Sequence, residues 1–249
     1  MYLHGRNVLR ELLNLKVSGV KVKNILFTDQ SNVDGQLKTL IDEAKKAGYR
    51  TEIAPPEKLA NLSREKKHQG VVIELKEFPY KDPTDFFEET SSRYSSTLVL
   101  LDQIQDPHNL GAIIRTSVAA GIDAIGITST SSAEITPAVI KVSAGLALRI
   151  PIMRIGNMAQ FQGFLKEHDY WIYAADMSGE PYYDTDYDRK SAIIFGNEGK
   201  GVRRLVKERS DMLVSIPMEP SVDSLNVAAS AAIILFNRRH QLIAKGREP

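Results

Sequence analysis

The sequence predicts an α/β protein built from two units, and three observations lead to this fold class. Segments with the spacing of amphipathic helices alternate along the 249 residues with short apolar runs of strand length. The runs in the second half are apolar at nearly every position, which is typical of parallel strands covered on both faces. Residues 76–95, where prolines and a serine cluster interrupt any regular period, separate the two halves.

The first 75 residues predict a compact unit of two helices and three strands. Strands are expected at residues 22–27, 50–54 and 70–75. Helices are expected where apolar side chains recur at helical spacing, and Gly48 closes the second of them. These stripes consist of Val8, Leu9, Leu12, Leu13 and Leu15, and of Leu37, Leu40, Ile41 and Ala44.

The second half predicts six strands with helices between them. Thr136 and Pro137 predict the start of one helix, as an N-cap followed by proline at the first helical position. The last helix is expected from about residue 224 to about residue 243, and its apolar first half predicts burial in its own domain or against a partner. The strands are expected at residues 98–101, 124–128, 150–155, 171–175, 192–195 and 213–216.

Composition excludes several kinds of site. The chain has no cysteine, so it has no disulfide, thiolate metal site or cysteine nucleophile, and it suits a reducing compartment. The five histidines lack the spacing of metal ligands, so no metal is expected. No segment approaches the ~18 apolar residues of a membrane span, so we expect a cytoplasmic protein without membrane contact.

Charge is distributed unevenly. Residues 1–75 contain 13 Lys and Arg against 9 Asp and Glu, a net charge of +4, although the whole chain carries only +1. The first unit is therefore the one suited to approach a polyanion such as RNA. A solvated basic face with no such partner is the alternative that charge alone leaves open.

Three polar segments each follow a predicted strand, where open α/β sheets bind ligands. In the first, Asn109 is expected to cap a helix and Arg115 lies six residues further on. The plain alternative is a cap and a surface arginine. In the third, Asp223, Ser224 and Asn226 crowd the start of the last helix, where capping explains at most one of them.

The second segment contains Glu198 among the glycines at 196, 199 and 201, which suit a turn where backbone must approach a ligand. Two nucleotide motifs fail here. Val202 follows the last glycine where a P-loop requires lysine and then serine or threonine, and Arg204 stands where G-x-G-x-x-G requires glycine.

Taken in order, these segments resemble the SpoU (TrmH-like) family of RNA ribose 2′-O-methyltransferases, within the SPOUT class. The resemblance covers residues 97–243 and includes Pro137 with residues 141–145; Ala228 departs from the serine that many members carry. The ending of the first unit at His68-Gln69-Gly70-Val71 resembles the bacterial members that modify a guanosine of 23S ribosomal RNA. Its motifs are Asn109 with Arg115, Asn197-Glu198-Gly199-Lys200-Gly201, and Ser224-Leu225-Asn226-Val227.

The resemblance implies a domain organisation. Residues 1–75 form a small α/β substrate-binding domain similar to ribosomal-protein-like RNA-binding domains, residues 76–95 a linker, and residues 96–249 a methyltransferase domain with a trefoil knot. Physical rules alone do not predict a knot. The resemblance also implies a homodimer formed through the C-terminal domain, RNA as the partner and 23S ribosomal RNA as the substrate.

The resemblance further implies the site. S-adenosylmethionine is the expected cofactor, contacted by Gly196, Ile216 and Leu225. The five residues expected to form the catalytic site are Asn109, Arg115, Glu198, Ser224 and Asn226.

Three alternatives remain at this stage. The substrate is another RNA, such as transfer RNA, or the protein is a catalytically silent RNA-binding factor for ribosome assembly. An unrelated nucleotide-binding α/β enzyme is disfavoured by the failed glycine motifs.

Overall fold

The computed structural model of the protein describes residues 1–15, 19–29 and 33–246, and within them the chain forms two compact units. One unit comprises Met1–Pro79 and Ile135–Arg149, and the other comprises Tyr80–Glu134 and Ile150–Pro249. Each unit has its own sheet, so the predicted α/β fold class is confirmed. The trefoil knot stays a prediction from the family resemblance.

The first unit is built on a four-stranded mixed sheet in the order β1-β4-β2-β3. β2 and β3 run parallel, and β4 runs antiparallel to both of its neighbours. The strands are β1 (Tyr2–His4), β2 (Val22–Thr28), β3 (Thr51–Ala54) and β4 (Val71–Leu75). The helices before residue 80 are α1 (Arg6–Leu13), α2 (Gly35–Lys46) and α3 (Pro56–Ser63).

Local sequence explains α2 well. Asp34 caps its start, because its carboxylate accepts a hydrogen bond of 2.9 Å from the amide of Leu37. Gly48 follows its end at a φ of 79°, which glycine adopts without strain. All four apolar residues of the predicted stripe are buried. Sequence reasoning missed β1, which has three residues, and α3, which buries only Leu59 and so has no apolar stripe.

The second unit is built on a six-stranded sheet in which every strand pair is parallel, in the order β10-β8-β9-β5-β6-β7. All seven residues of β5 are buried, as its continuous apolar run predicts. The strands are β5 (Ser96–Asp102), β6 (Ala124–Thr128), β7 (Ile152–Ile155), β8 (Trp171–Pro181), β9 (Lys190–Gly196) and β10 (Met212–Ser215).

Six further α-helices and a 3₁₀ helix at Leu146–Leu148 follow among the described residues. Thr136 caps the third of them as predicted, with Pro137 at its first position. The last helix begins at Val227 rather than near residue 224, so the predicted start is corrected by three residues. The helices are α4 (Pro83–Thr90), α5 (Pro107–Ala119), α6 (Pro137–Val142), α7 (Met158–Glu167), α8 (Arg204–Arg209) and α9 (Val227–Ala244).

Two features bear on the expected domains. Phe86 and Phe87 of α4, within the expected linker, are buried in the core of the second unit. Residues 135–149 belong to the first compact unit, and the domain boundaries inferred from the resemblance stay a prediction. Gly145 lies in this stretch at a φ of 90°, and a Cβ there would come within 3.0 Å of the Cα of Val8.

We therefore expect Gly145→Ala to lower the free energy of unfolding by about 1–3 kcal/mol, because alanine is strained at this φ and crowds α1. Gly163 inside α7 is the matched control, since a Cβ there meets nothing within 4 Å. Gly163→Ala should raise the stability by about 0.5–1 kcal/mol. Differential scanning calorimetry of both variants measures the two shifts, and equal shifts would contradict the packing described for Gly145.

Candidate active site

Three loops meet at one edge of the large sheet. β5, β9 and β10 end at Asp102, Gly196 and Ser215, and each predicted polar segment starts at or just beyond one of these ends. Because all strands of this sheet are parallel, their carboxyl ends share one edge, where such sheets bind ligands. β5 and β9 are direct neighbours, with Asp102 opposite Gly196.

The glycine loop after β9 is closed on itself. Asn197 and Gly201 exchange two backbone hydrogen bonds of 3.1 and 2.8 Å, and the side-chain oxygen of Asn197 accepts from the amides of Gly199 and Lys200. A Cβ on Gly196 would lie 2.1 Å from the carbonyl carbon of Gly201. Glycine at 196 is thus required by the loop's own backbone, in addition to any ligand that approaches it.

An ion pair that sequence reasoning missed holds this loop to β5. The carboxylate of Asp102 is fully buried and accepts hydrogen bonds of 3.0 Å from Nε and 2.7 Å from Nη2 of Arg203. The backbone amide of Arg203 donates to the same carboxylate at 3.3 Å. The sequence indicates a buried charge at Asp102, because this aspartate ends an apolar strand. It does not indicate the partner, because Arg203 lies 101 residues further along the chain.

Glu198 joins the first and second segments. Its carboxylate accepts hydrogen bonds from the side-chain amide of Asn109 at 3.1 Å and from the backbone amides of Asp106 and Gln105 at 3.3 and 3.5 Å. The side-chain amide of Asn226 then donates to Oδ1 of Asn109 at 2.9 Å. A continuous chain, Glu198–Asn109–Asn226, therefore links all three loops.

These contacts determine the ionisation of Glu198. Partial burial opposes ionisation, but the hydrogen bonds from Asn109 and from the amides of Asp106 and Gln105 outweigh it, so the pKa of Glu198 lies below its ordinary value. Glu198 is therefore a carboxylate throughout the neutral range. It loses this state only as the pH falls below the ordinary glutamate range.

Two expectations about helix capping are corrected. Asp106, and not Asn109, caps α5, since its carboxylate accepts from the amide of His108 at 2.8 Å. Asn226 does not lie inside the last helix but is its N-cap, accepting from the amides of Ala228 and Ala229 at 2.9 and 3.3 Å. Proline at position 107 fixes the start of α5 one residue after Asp106, which leaves Asn109 free to bridge.

A cavity of about 520 Å³ opens beside these loops, within the usual size range of small-molecule sites. Gly196, Ile216 and Leu225, the three residues expected to contact a cofactor, all line it, as do Ser224 and Glu198. Apolar side chains supply much of the remaining wall: Met177, Phe195, Val214, Met218, Val227 and Ile234. Apolar walls beside exposed backbone suit a nucleoside, which needs stacking area and a few hydrogen bonds.

Arg115 stands apart from this network. It is exposed on α5, six residues beyond Asn109 and so roughly 9 Å further along the helix. Within the part of the chain that the structure describes, its guanidinium forms no hydrogen bond or ion pair, so neither Glu198 nor Asn226 holds it. The structure thus joins Asn109, Glu198 and Asn226, and places Ser224 at the cavity.

Other kinds of site are not found among the described residues. No group of three or more His, Asp or Glu side chains there is arranged to hold a metal ion. None of the helices in the same residues has the length and apolar character that crossing a membrane requires.

The parallel sheet with a cavity at its carboxyl edge, in a chain that also carries the smaller first unit, is the architecture of an α/β enzyme with an additional domain. The profile of the SpoU rRNA Methylase family matches residues 96–236, and a profile described as RNA 2′-O ribose methyltransferase substrate binding matches residues 2–81. The chain belongs to the SpoU rRNA methylase family. This confirms the predicted family and the predicted enzyme class, an RNA 2′-O-methyltransferase.

Relatives and solved structures agree with this membership. A Staphylococcus haemolyticus protein provisionally assigned to the TrmH family of tRNA/rRNA methyltransferases is 34% identical over 243 residues, covering 96% of each chain. The 23S rRNA (guanosine-2′-O-)-methyltransferase RlmB of Neisseria meningitidis is 36% identical over 226 residues, covering 90% of this chain and 89% of that protein. The fold is similar to that of the SpoU methyltransferase AviRb from Streptomyces viridochromogenes, solved with AdoMet, with a TM-score of 0.81, 22% identity and coverage of 98% and 91%.

Two substitutions at Asn226 should separate its two hydrogen-bonding roles. Asn226→Asp keeps the oxygen that caps α9 but loses the amide that donates to Asn109, so we expect near-normal thermal stability and roughly tenfold slower methylation. Asn226→Ala loses the cap as well and should also lower the free energy of unfolding by about 1 kcal/mol. Thermal unfolding and single-turnover methyl transfer measure both effects. Wild-type rates in Asn226→Asp would remove the bond to Asn109 from the mechanism.

Proposed function

We propose that this enzyme transfers a methyl group from S-adenosylmethionine to a ribose 2′-oxygen of ribosomal RNA, at a guanosine of the 23S molecule. The observation that carries the proposal is the Glu198–Asn109–Asn226 chain beside a cavity lined by Gly196 and Leu225. The RlmB relative, at 36% identity, supports the 23S guanosine as the substrate.

S-adenosylmethionine fits the cavity by size and by the chemistry of its walls. In this proposal Gly196, Ile216 and Leu225 hold the cofactor, in part through backbone groups. Because residue 196 is a glycine, no side chain separates its backbone from the cavity. When bound, the cofactor supplies a sulfonium-activated methyl group that needs no metal to transfer. The protein's task is then to align the ribose oxygen with that methyl, which contributes up to about 7–11 kcal/mol to lowering the barrier.

Arg115 stabilises the negative charge that develops on the ribose oxygen as its hydroxyl proton passes to water. An arginine guanidinium in a protein is a permanent cation with donors and no acceptor, so we assign Arg115 the role of a hydrogen-bond donor rather than of the base. It has no ion-pair partner among the described residues, and so its charge is available to hold a neighbouring phosphate and to donate charge-assisted hydrogen bonds to the alkoxide.

Glu198 acts as a positioning residue. Its carboxylate already accepts four hydrogen bonds, the fourth from the side-chain amide of Asn197, and has a lowered pKa, which makes it a weak base. It fixes Asn109, and Asn109 in turn is held by Asn226. Ser224, at the cavity wall beside Leu225, completes the polar side that faces the ribose.

The chain forms a homodimer through α9 in this proposal. Ala229, Phe236, His240 and Ile243 are exposed on one face of that helix, while its opposite face is buried. Phe236 is 47% exposed and Ile243 is 52% exposed; with Ala229 they form an apolar stripe, interrupted by His240, of the kind typical of an interface. Arg115 is exposed on α5, which packs against α9.

We also propose the cytoplasm as the location, because the substrate is ribosomal RNA.

Methyl transfer from radiolabelled S-adenosylmethionine to RNA from cells lacking this protein tests the function. We expect label on a ribose 2′-oxygen of 23S RNA, with 16S and transfer RNA unlabelled. Label on transfer RNA would keep the enzyme class and replace the substrate. Cofactor binding without label on naked RNA or on assembling subunits would leave an RNA-binding factor instead.

Arg115→Ala should lower the rate of methyl transfer by about 10²–10³-fold, because the developing negative charge loses its donor. Affinity for S-adenosylmethionine, measured by calorimetry, should stay unchanged, since Arg115 does not line the cavity. Arg115→Lys is the control; it keeps the charge without the two-pronged geometry and should recover only part of the rate. Normal turnover by the alanine variant would remove Arg115 from catalysis.

Phe236→Asp should convert the dimer into monomers, because a carboxylate at the centre of the apolar stripe cannot be buried without a partner. Sedimentation velocity measures the change. The matched control is Leu205→Asp, which places the same charge at an equally exposed leucine on α8, 51% exposed, outside the stripe. A monomeric wild type, or dissociation of both variants, would contradict the proposed interface.

A further inference from the structure

A second cavity, of about 110 Å³, lies wholly within the first unit. Its walls include His4, Asn7, Val8, Lys67 and Lys141, and we refer to it as the His4 cavity. It is much smaller than the ~300–1,000 Å³ of sites that take drug-sized ligands, and its size suits a small anion such as phosphate. The residues assigned to methyl transfer all lie in the other unit.

His4 is the first sign that this cavity takes a ligand. Its side chain is buried, with only 7% of the residue exposed, yet neither ring nitrogen has a hydrogen-bond partner among the described residues. Burial, followed by the charge of Lys141, lowers the pKa of His4, so the ring is neutral at neutral pH. A neutral ring offers one N–H donor and one acceptor, and native structures rarely leave both unpaired without a reason.

The start of α1 adds backbone donors at the same place. Gly5 precedes the helix at a φ of 106° and brings no side chain to cap it. The amide of Arg6 donates to Oε1 of Gln69 at 2.9 Å, but the amides of Asn7 and Val8 have no hydrogen-bond partner in the described chain. Free amides at a helix start favour an anion through both hydrogen bonding and the helix dipole.

Two lysines supply positive charge. Lys67 is exposed and forms no ion pair within residues 1–15, 19–29 and 33–246. Lys141 pairs with Glu65 at 2.9 Å, and both side chains are nearly half exposed, so the pair is open to exchange with another anion. The positive character of the cavity therefore rests mainly on Lys67 and on the helix start.

We propose that the His4 cavity binds a backbone phosphate of the substrate RNA. The phosphate accepts hydrogen bonds from the amides of Asn7 and Val8 and from the ring of His4, with Lys67 and Lys141 neutralising its charge. A phosphate contact of this kind positions RNA without reading its sequence. The inference rests on RNA being the substrate, but it concerns a site separate from the methyl-transfer chemistry.

Lys67→Ala tests the site in the full-length protein, and Lys66→Ala is the matched control because the neighbouring lysine does not line the cavity. Fluorescence anisotropy with a fragment of 23S RNA over a range of salt concentrations should give a dissociation constant about 5–10-fold higher for Lys67→Ala. The slope of log K against log salt should fall by about 1. Lys66→Ala should change affinity less than about twofold. Equal effects of the two variants would overturn the proposal.

His4→Leu separates binding from a structural role. Leucine removes the unpaired ring nitrogens, so we expect thermal stability equal to or above that of the wild type together with weaker RNA binding. Lower stability with unchanged RNA affinity would make His4 structural and overturn its part in the site.

The ring nitrogens of His4 give a direct readout by ¹⁵N NMR. We expect them to shift on addition of inorganic phosphate and again with a short single-stranded RNA. A shift with phosphate alone would mean a small-anion site and contradict the RNA assignment. Methylation by the wild type is measured in parallel. If the wild type methylates RNA but Lys67→Ala binds RNA as tightly as the wild type, only the phosphate site is refuted. If Lys67→Ala binds RNA more weakly but the wild type methylates no RNA, only the proposed function is refuted.

Discussion

The ion pair between Asp102 and Arg203 is the interaction on which the candidate site depends. Asp102 is fully buried at the end of β5, where its charge is tolerated only because Arg203 and a backbone amide satisfy it. The side chain of Arg203 is 45% exposed, so the pair is buried on the Asp102 side only, and loss of Arg203 would leave the buried carboxylate without its charged partner. Because Arg203 follows the glycine loop directly, this pair and the pairing of β5 with β9 hold that loop against the segment that leads into α5.

With the glycine loop held in place, the residues of the candidate site differ in how firmly hydrogen bonds hold their side chains. Glu198 is immobilised by four hydrogen bonds and serves to place Asn109. Asn226 both starts α9 and completes the chain. Arg115, in contrast, is unattached within the described chain and exposed. A guanidinium that must meet RNA benefits from this, since any internal carboxylate partner would compete with the phosphate for it.

In the first unit, by contrast, polar groups at His4 and at the start of α1 lack hydrogen-bond partners among the described residues, which lowers the local stability of the fold. A buried histidine with both nitrogens unpaired and a helix start without a cap are each unfavourable, and they occur side by side at His4 and α1. Violations of this kind concentrate at functional places, because a ligand satisfies there what the folded chain alone does not. The helix α2 in the same unit, fully capped and with its apolar stripe buried, obeys every local rule.

The sequence by itself determined the α/β class, most strands, the stripe of α2, part of the stripe of α1, and the polar segments around 109, 198 and 226. Hydrophobic period and glycine placement are local properties of the chain. Resemblance added the family and the cavity residues Gly196, Ile216 and Leu225. Only the tertiary structure decided that Asp106 rather than Asn109 caps α5, that Arg203 meets Asp102 across 101 residues, and that residues 135–149 join the first unit. These depend on which distant segments are brought into contact, and no local period in a single sequence records that pairing.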